Sequence, residues 1–196
     1  LFFRAVVRYP ILDCYTLSAG NGMTLKERGR ILEILLVEDN PADARLVHEA
    51  LKEHPTPYHL TVVSDGEAAL TYLHQQGAYA YASRPDIVLL DVNLPGKNGR
   101  EVLAEVKQDP HLRCIPVIML TSSRDRAEME YCYQLHANAY VVKSAEVDQF
   151  FDLVKKIEDF WFSVAILFSG EEVRWGGESV ESPTNGTTVS GPLPKR

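Results

Sequence analysis

Four short apolar runs in this chain each end on a residue able to handle phosphate, and that pattern limits the fold and the chemistry together. Ile31-Leu32-Glu33-Ile34-Leu35-Leu36-Val37 ends in Glu38-Asp39, Ile87-Val88-Leu89-Leu90 in Asp91, Val117-Ile118-Met119-Leu120 in Thr121, and Tyr140-Val141-Val142 in Lys143. Runs this short and this rich in Val, Ile and Leu, separated by helical patterns, read as strands buried on both faces of a parallel sheet. Ligands of such sheets bind beyond the carboxyl ends of the strands. Three carboxylates, a hydroxyl and an amine, remote in sequence, are therefore expected at one sheet edge.

The intervening segments support alternation from Ile31 to Phe162. Asn40-Pro41 supplies an N-cap and a proline at the first helical position, opening a helix from Pro41 to about Glu53. Tyr58 to Val63 is the second strand. Ser64 and Glu67 have capping-box spacing ahead of a second helix carrying Ala69, Leu70 and Leu73. The turn-forming stretch Asn93 to Gly99 leads into a third helix with Val102, Leu103 and Val106 inward. A weakly amphipathic fourth helix runs from about Arg124 to Leu135. The fifth carries Val147, Phe150, Phe151, Val154, Ile157 and Trp161 at helical spacing. Five strands and five helices in strict alternation predict an α/β doubly wound, five-stranded parallel sheet of flavodoxin-like order 2-1-3-4-5. That order sets strands 1 and 3 side by side and brings Glu38-Asp39 close to Asp91.

The domain plan is a poorly ordered extension over residues 1–30, one folded domain over 31–163, and a tail over 164–196 expected to be disordered from about residue 171, where Gly, Ser, Thr, Pro and Glu dominate. The chain starts at Leu1, and residues before Met23 read as an upstream extension without a folded role. A net charge of −7 argues against sequence-independent nucleic-acid binding. No apolar run is long enough to span a bilayer, so no membrane association is expected. Cys14, Cys114 and Cys132 lack paired spacing and read as reduced thiols of a cytoplasmic protein. The six histidines show no metal-site spacing.

Carboxylates crowded at one edge repel: at roughly 4 Å and an effective dielectric near 20, each pair costs about 4 kcal/mol. Either one takes a proton or a cation binds. Oxygen ligands with open positions for water and phosphate suit Mg²⁺. One carboxylate would then act as nucleophile toward a phosphoryl group, with Lys143 balancing charge and Thr121 donating a hydrogen bond.

The stretches Leu36 to Asn40, Pro85 to Pro95, Thr121-Ser122-Ser123 and Tyr140 to Lys143 resemble the receiver domain of two-component response regulators, over about Ile31 to Trp161 and in the family's order. The resemblance implies a domain that takes phosphate from a histidine kinase onto Asp91. It implies Mg²⁺ held by Glu38, Asp39, Asp91 and the backbone carbonyl of Asn93, with Thr121 and Tyr140 as switch residues and Lys143 as the family's lysine. Leu94-Pro95, Gly99 to Leu103 and Phe160-Trp161 further resemble stand-alone regulators paired with cyanobacterial phytochromes. That narrower likeness implies a light- or redox-responsive histidine kinase, phytochrome-like, as partner and leaves room for a homodimer. With no output module after the fifth helix, signalling is expected to pass through protein contacts, without direct nucleic-acid binding. The protein would be no enzyme beyond catalysing its own phosphorylation and slow dephosphorylation.

One departure stands out. Ser144 follows Lys143 where the family places a proline after a cis bond. A cis bond before serine costs about 2.5–4 kcal/mol, so the bond is either trans or held cis by packing. Phe150, Phe151, Phe160, Trp161 and Phe162 exceed what one buried face needs; they either pack beneath the sheet or form an exposed docking patch. An aspartyl phosphatase is the enzyme alternative, yet it wants an acid two residues after the nucleophile, where Asn93 stands. A nucleotide-binding domain would need a glycine-rich loop after the first strand, where Glu38-Asp39-Asn40-Pro41 is acidic. A receiver-shaped scaffold that works without phosphate is the third alternative.

Overall fold

The computed structural model describes residues 31–165 and Leu167. The expectations for the N-terminal extension, Cys14 and the C-terminal tail lie outside the described residues. Five parallel strands, β1 (Leu32–Val37), β2 (Tyr58–Val63), β3 (Ile87–Asp91), β4 (Val117–Thr121) and β5 (Ala139–Val142), pair in the order β2-β1-β3-β4-β5, as the alternation predicts. Helices α1 (Pro41–Leu51), α2 (Gly66–Leu73), α3 (Gly99–Gln108), α4 (Arg126–Gln134) and α5 (Val147–Glu158) connect and follow them.

Side chains alternate between the two faces of the sheet. Leu32, Ile34 and Leu36 of β1, Ile87 and Leu89 of β3, and Ile118 and Leu120 of β4 join α1 and α5 in one core. Leu35, Val37, Val88, Leu90, Val117 and Met119 join α2, α3 and Cys132 of α4 in the other. Strands buried on both faces need no polar alternation, which is why they read as unbroken apolar runs.

The helix starts follow cap chemistry. Asn40 accepts from Ala42 N at 2.9 Å with Pro41 as the first helical residue. Asn98 and Glu101 form a reciprocal capping box at α3. At α2 the cap is Asp65, accepting from Ala68 N at 2.7 Å, rather than Ser64. Both residues can cap, and the chain bends one residue later than the Ser64–Glu67 spacing predicts. Asp125 likewise caps α4, so that helix starts at Arg126 instead of Arg124 and ends at Gln134. Helix α1 ends at Leu51, two residues short of the expected Glu53. The loop before β3 contains a 3-10 turn, Gly77–Tyr79, that no apolar period announces.

Helix α5 continues into a π-helical turn, Asp159–Val164. The extra residue per turn rotates Trp161 and Phe162 inward, and both are buried in the α1–α5 core with Phe150. Phe151 and Phe160 are half-buried against the same core. The surplus aromatics thus pack beneath the sheet, and His54 at the end of α1 meets the Phe162 ring edge-on at 5.5 Å. Val147, expected inward, is exposed at the first turn of α5. Among the described residues Cys114 and Cys132 form no disulfide, and no helix is long and apolar enough to cross a membrane.

At the amino end of the sheet, Lys107 reaches under α3 to the carbonyls of Ile115 (2.7 Å) and Arg113 (3.1 Å) and to Asn138 Oδ1 (3.0 Å). Asn138 Oδ1 also accepts from Val117 N at 2.9 Å, so one buried amide and one amine tie α3, β4 and the approach to β5.

Glu158, the last residue of α5, is 2% exposed, and its Oε1 has no hydrogen-bond partner. Burial, with Asp159 adding repulsion, pushes its carboxyl from the ordinary 4.5 up to about 7. The folded state therefore holds this proton more tightly than the unfolded chain, and stability falls as pH climbs from about 4.5 to about 7. Glu158→Gln removes the charge while keeping the shape. Urea unfolding should show the variant more stable than the parent at pH 8, by as much as about 3 kcal/mol at ~1.4 kcal/mol per tenfold change in proton affinity. At pH 5 the two should differ little.

Candidate functional site

The carboxyl ends of β1, β3, β4 and β5 form one edge because their registers are nearly in step. Val37 pairs with Leu90, Asp91 with Leu120 and Thr121 with Val142. Backbone bonds extend the ladder past the strands: Glu38 N to Val63 O (2.9 Å), Val92 N to Leu120 O (3.1 Å) and Lys143 N to Thr121 O (2.7 Å). Glu38, Asp91 and Lys143 are thereby held on rigid backbone, which places their side chains more closely than loops would.

Glu38, Asp39 and Asp91 converge, each offering an oxygen within 4.8 Å of the others; Glu38 and Asp91 are buried and Asp39 is exposed. Lys143 enters the same pocket. Its ammonium donates to Glu38 Oε2 at 2.6 Å, Asp91 Oδ2 at 2.6 Å and Asp43 Oδ2 at 3.0 Å. Asp43, in the first turn of α1, is a site residue that sequence reasoning missed. The available signal was its place three residues after the Asn40 cap, which puts it at the same sheet edge.

Burial raises the Glu38 carboxyl to about 7 against the pull of Lys143, and the neighbouring Asp91 adds to the rise. Burial also works against the charge on Lys143, but the Asp91 and Glu38 carboxylates outweigh it and hold the ammonium well above its ordinary value. Four acidic side chains face one ammonium, so acidic groups outnumber it even when Glu38 carries its proton. The donor set of Glu38, Asp39 and Asp91 is all oxygen, partly buried and partly open to solvent, which fits a hard divalent cation.

The remaining predicted residues flank this group. Asn93 N donates to Asp91 Oδ1 at 3.0 Å, turning the chain immediately after the strand. Thr121 is fully buried, and its Oγ1 accepts from Ser123 N at 3.0 Å. Tyr140 sends its hydroxyl to Glu128 Oε1 of α4 at 2.6 Å and to Ser123 O at 3.4 Å. Burial and the Glu128 carboxylate push the phenol far up, with Ser123 and Thr121 acting the other way. The Tyr140–Glu128 link is a further contact that sequence reasoning missed, because nothing in the local pattern pairs a strand residue with the helix before it.

The Lys143-Ser144 bond is trans, like every peptide bond among the described residues. Ser144 has a role of its own. Its hydroxyl accepts from Glu146 N at 3.2 Å and donates to Gln149 Oε1 at 2.9 Å, organising the entry to α5, whose cap residue Glu146 makes no side-chain cap.

Gly99 sets how closely α3 approaches β3. A Cβ there would overlap the Asp91 carbonyl oxygen and lie 2.9 Å from Val92 Cα, both immovable backbone. Gly99→Ala should therefore push α3 off the strand end. Chemical denaturation is expected to show a loss of roughly 1–3 kcal/mol; a variant as stable as the parent would mean the backbone there yields freely.

Comparison with known proteins places the chain among response regulators. The model of the response regulator receiver domain matches residues 34–155. The response regulator Rcp1 of Synechocystis sp. is 48% identical over 134 residues, covering 68% of this chain and 91% of that protein. The crystal structure of Mn²⁺-bound Rcp1 superposes with a TM-score of 0.69 at 46% identity, over 70% of this chain and 99% of that one. The phosphorylated cyanobacterial phytochrome response regulator RcpA gives a TM-score of 0.70 at 51% identity, over 71% of this chain and all of that one.

Proposed function

We propose, from the premise that the chain belongs to the response regulator receiver family, that it accepts a phosphoryl group from a histidine kinase onto Asp91 and signals through protein contacts. The observation that carries this reading is the pocket in which Glu38, Asp39 and Asp91 lie within 4.8 Å while Lys143 reaches two of them.

In this reading an Asp91 carboxylate oxygen attacks the phosphorus of a phosphohistidine; the new O–P bond forms as the P–N bond breaks, and the imidazole leaves with the electron pair. Glu38, Asp39, Asp91 and the Asn93 carbonyl would hold Mg²⁺, which when bound screens the carboxylates and the phosphoryl charge. Lys143 is already 2.6 Å from Asp91 and can turn its ammonium to a phosphoryl oxygen without leaving the pocket. Thr121, at the end of the neighbouring strand, supplies a hydroxyl donor. Asn93 and Ser123 border the site and govern how readily water reaches the acyl phosphate. The protein is thus its own catalyst for gaining and slowly losing the phosphoryl group, and is otherwise no enzyme.

A response requires that some element interact differently with the two states. Thr121 and Tyr140 are the candidates. Drawing the Thr121 hydroxyl toward phosphate alters what the Tyr140 ring packs against, and the Tyr140 hydroxyl is bonded to Glu128 of α4. The face of α4, β5 and α5 is then the surface that reports phosphorylation. The likeness to RcpA, a cyanobacterial phytochrome response regulator, supports a phytochrome-like kinase as partner, and a cytoplasmic, phosphorelay setting is the one in which this chemistry operates. A homodimer through the same face is compatible with it.

Incubation with Mg²⁺ and acetyl phosphate followed by intact mass tests the assignment. The parent should gain one phosphoryl group and lose it on standing, while Asp91→Asn should gain none and keep its circular dichroism. Normal labelling of Asp91→Asn would end the assignment.

A further inference from the structure

An ammonium has three N–H donors, and Lys143 spends each on a different carboxylate: Glu38 and Asp91 at 2.6 Å and Asp43 at 3.0 Å. The three acceptors are not equivalent. Glu38 and Asp91 belong to the trio able to hold a divalent ion, and Asp43 stands outside it. Their side chains are 0% and 8% exposed, against 27% for Asp43. Asp43 is also supported independently of the pocket, because the Asn40 cap and Pro41 fix the turn of α1 that carries it.

A divalent ion bound at the trio competes with Lys143 for two of its three acceptors. We propose, resting on the phosphoryl-acceptor reading above, that Asp43 is a positioning residue that retains the Lys143 ammonium at the pocket rim when the ion claims Glu38 and Asp91, leaving it poised for an incoming phosphoryl oxygen. Asp43 is one of three acceptors of the Lys143 ammonium and would be its principal acceptor once an ion engaged the other two. Asp43 therefore stabilises the loaded form more than the free form, and by reciprocity its presence tightens ion binding. A carboxylate acting merely as a nearby charge would also tighten binding, but would do so with or without the lysine. The two roles separate in a double-mutant cycle.

Mg²⁺ is titrated calorimetrically into the full chain, as the parent, Asp43→Asn, Asp43→Glu, Lys143→Ala and the Asp43→Asn/Lys143→Ala double variant, with circular dichroism confirming the fold of each. Asp43→Asn should weaken Mg²⁺ binding roughly three- to tenfold. Asp43→Glu should restore most of the loss. In the Lys143→Ala background the same Asp43→Asn change should cost less than about twofold. An Asp43→Asn protein that binds as the parent does, an equal loss in both backgrounds, or no rescue by Asp43→Glu would each overturn the proposal. A parent that shows no saturable Mg²⁺ binding would instead overturn the divalent-ion reading of the pocket, and this inference with it.

Discussion

The contact of Lys143 with Asp91, Glu38 and Asp43 is the interaction on which the rest of the site depends. It joins the segment after β5 to the ends of β1 and β3 and to the first turn of α1, spanning about a hundred residues of chain. Its strength comes from its setting. The lysine side chain is 8% exposed and its two nearest partners are no more so, hence little water competes for the charges. A buried charge stripped of its partner costs about 3–5 kcal/mol, so none of the three can be lost cheaply. The pairing is nonetheless incomplete as a charge balance, since the negative groups outnumber the single cation. That imbalance leaves the pocket stable enough to fold and still drawn to a further positive ion.

The sheet supplies the precision this arrangement needs. Backbone bonds carried one residue past each strand fix Glu38, Val92 and Lys143 in depth. Gly99 then lets α3 close against the back of Asp91, filling the far side of the pocket with backbone rather than solvent. On the β5 side, the Tyr140 hydroxyl reaches Glu128, so a disturbance near Thr121 has a hydrogen-bonded route to α4. The chemistry sits at one end of the sheet, while Lys107 and Asn138 brace the other end through α3 and β4. The charged pocket and the bracing contacts are thus divided by strand direction.

The strands were legible because burial on both faces leaves nothing but apolar residues in them, and the order of elements then leaves few topologies open. The site trio and Lys143 were legible because each stands immediately after such a run. Asp43 was not, since a single acidic residue in a first helical turn is ordinary chemistry for the helix dipole and its partner lies a hundred positions away. The choice of Asp65 over Ser64 as cap turned on the backbone angle of a loop, which adjacent capping residues leave open. The π-helical turn after α5 has no composition signature of its own. The fit of Trp161 and Phe162 into the core decides it, as an outcome of packing. Ser144 replaced the family's proline with a hydroxyl that organises the same loop by hydrogen bonds, a substitution understandable only once Glu146 and Gln149 are seen beside it.

The central claim is that this pocket folds with more negative charge than Lys143 can balance and is stabilised by a divalent ion that supplies the difference. Urea unfolding of the parent protein across a Mg²⁺ series at constant ionic strength measures this directly. The account predicts an unfolding free energy that grows with Mg²⁺ according to mass action on a single site, with the gain lost when Asp39, the exposed member of the trio, is changed to alanine. An unfolding free energy independent of Mg²⁺, or an equal gain in Asp39→Ala, would contradict it.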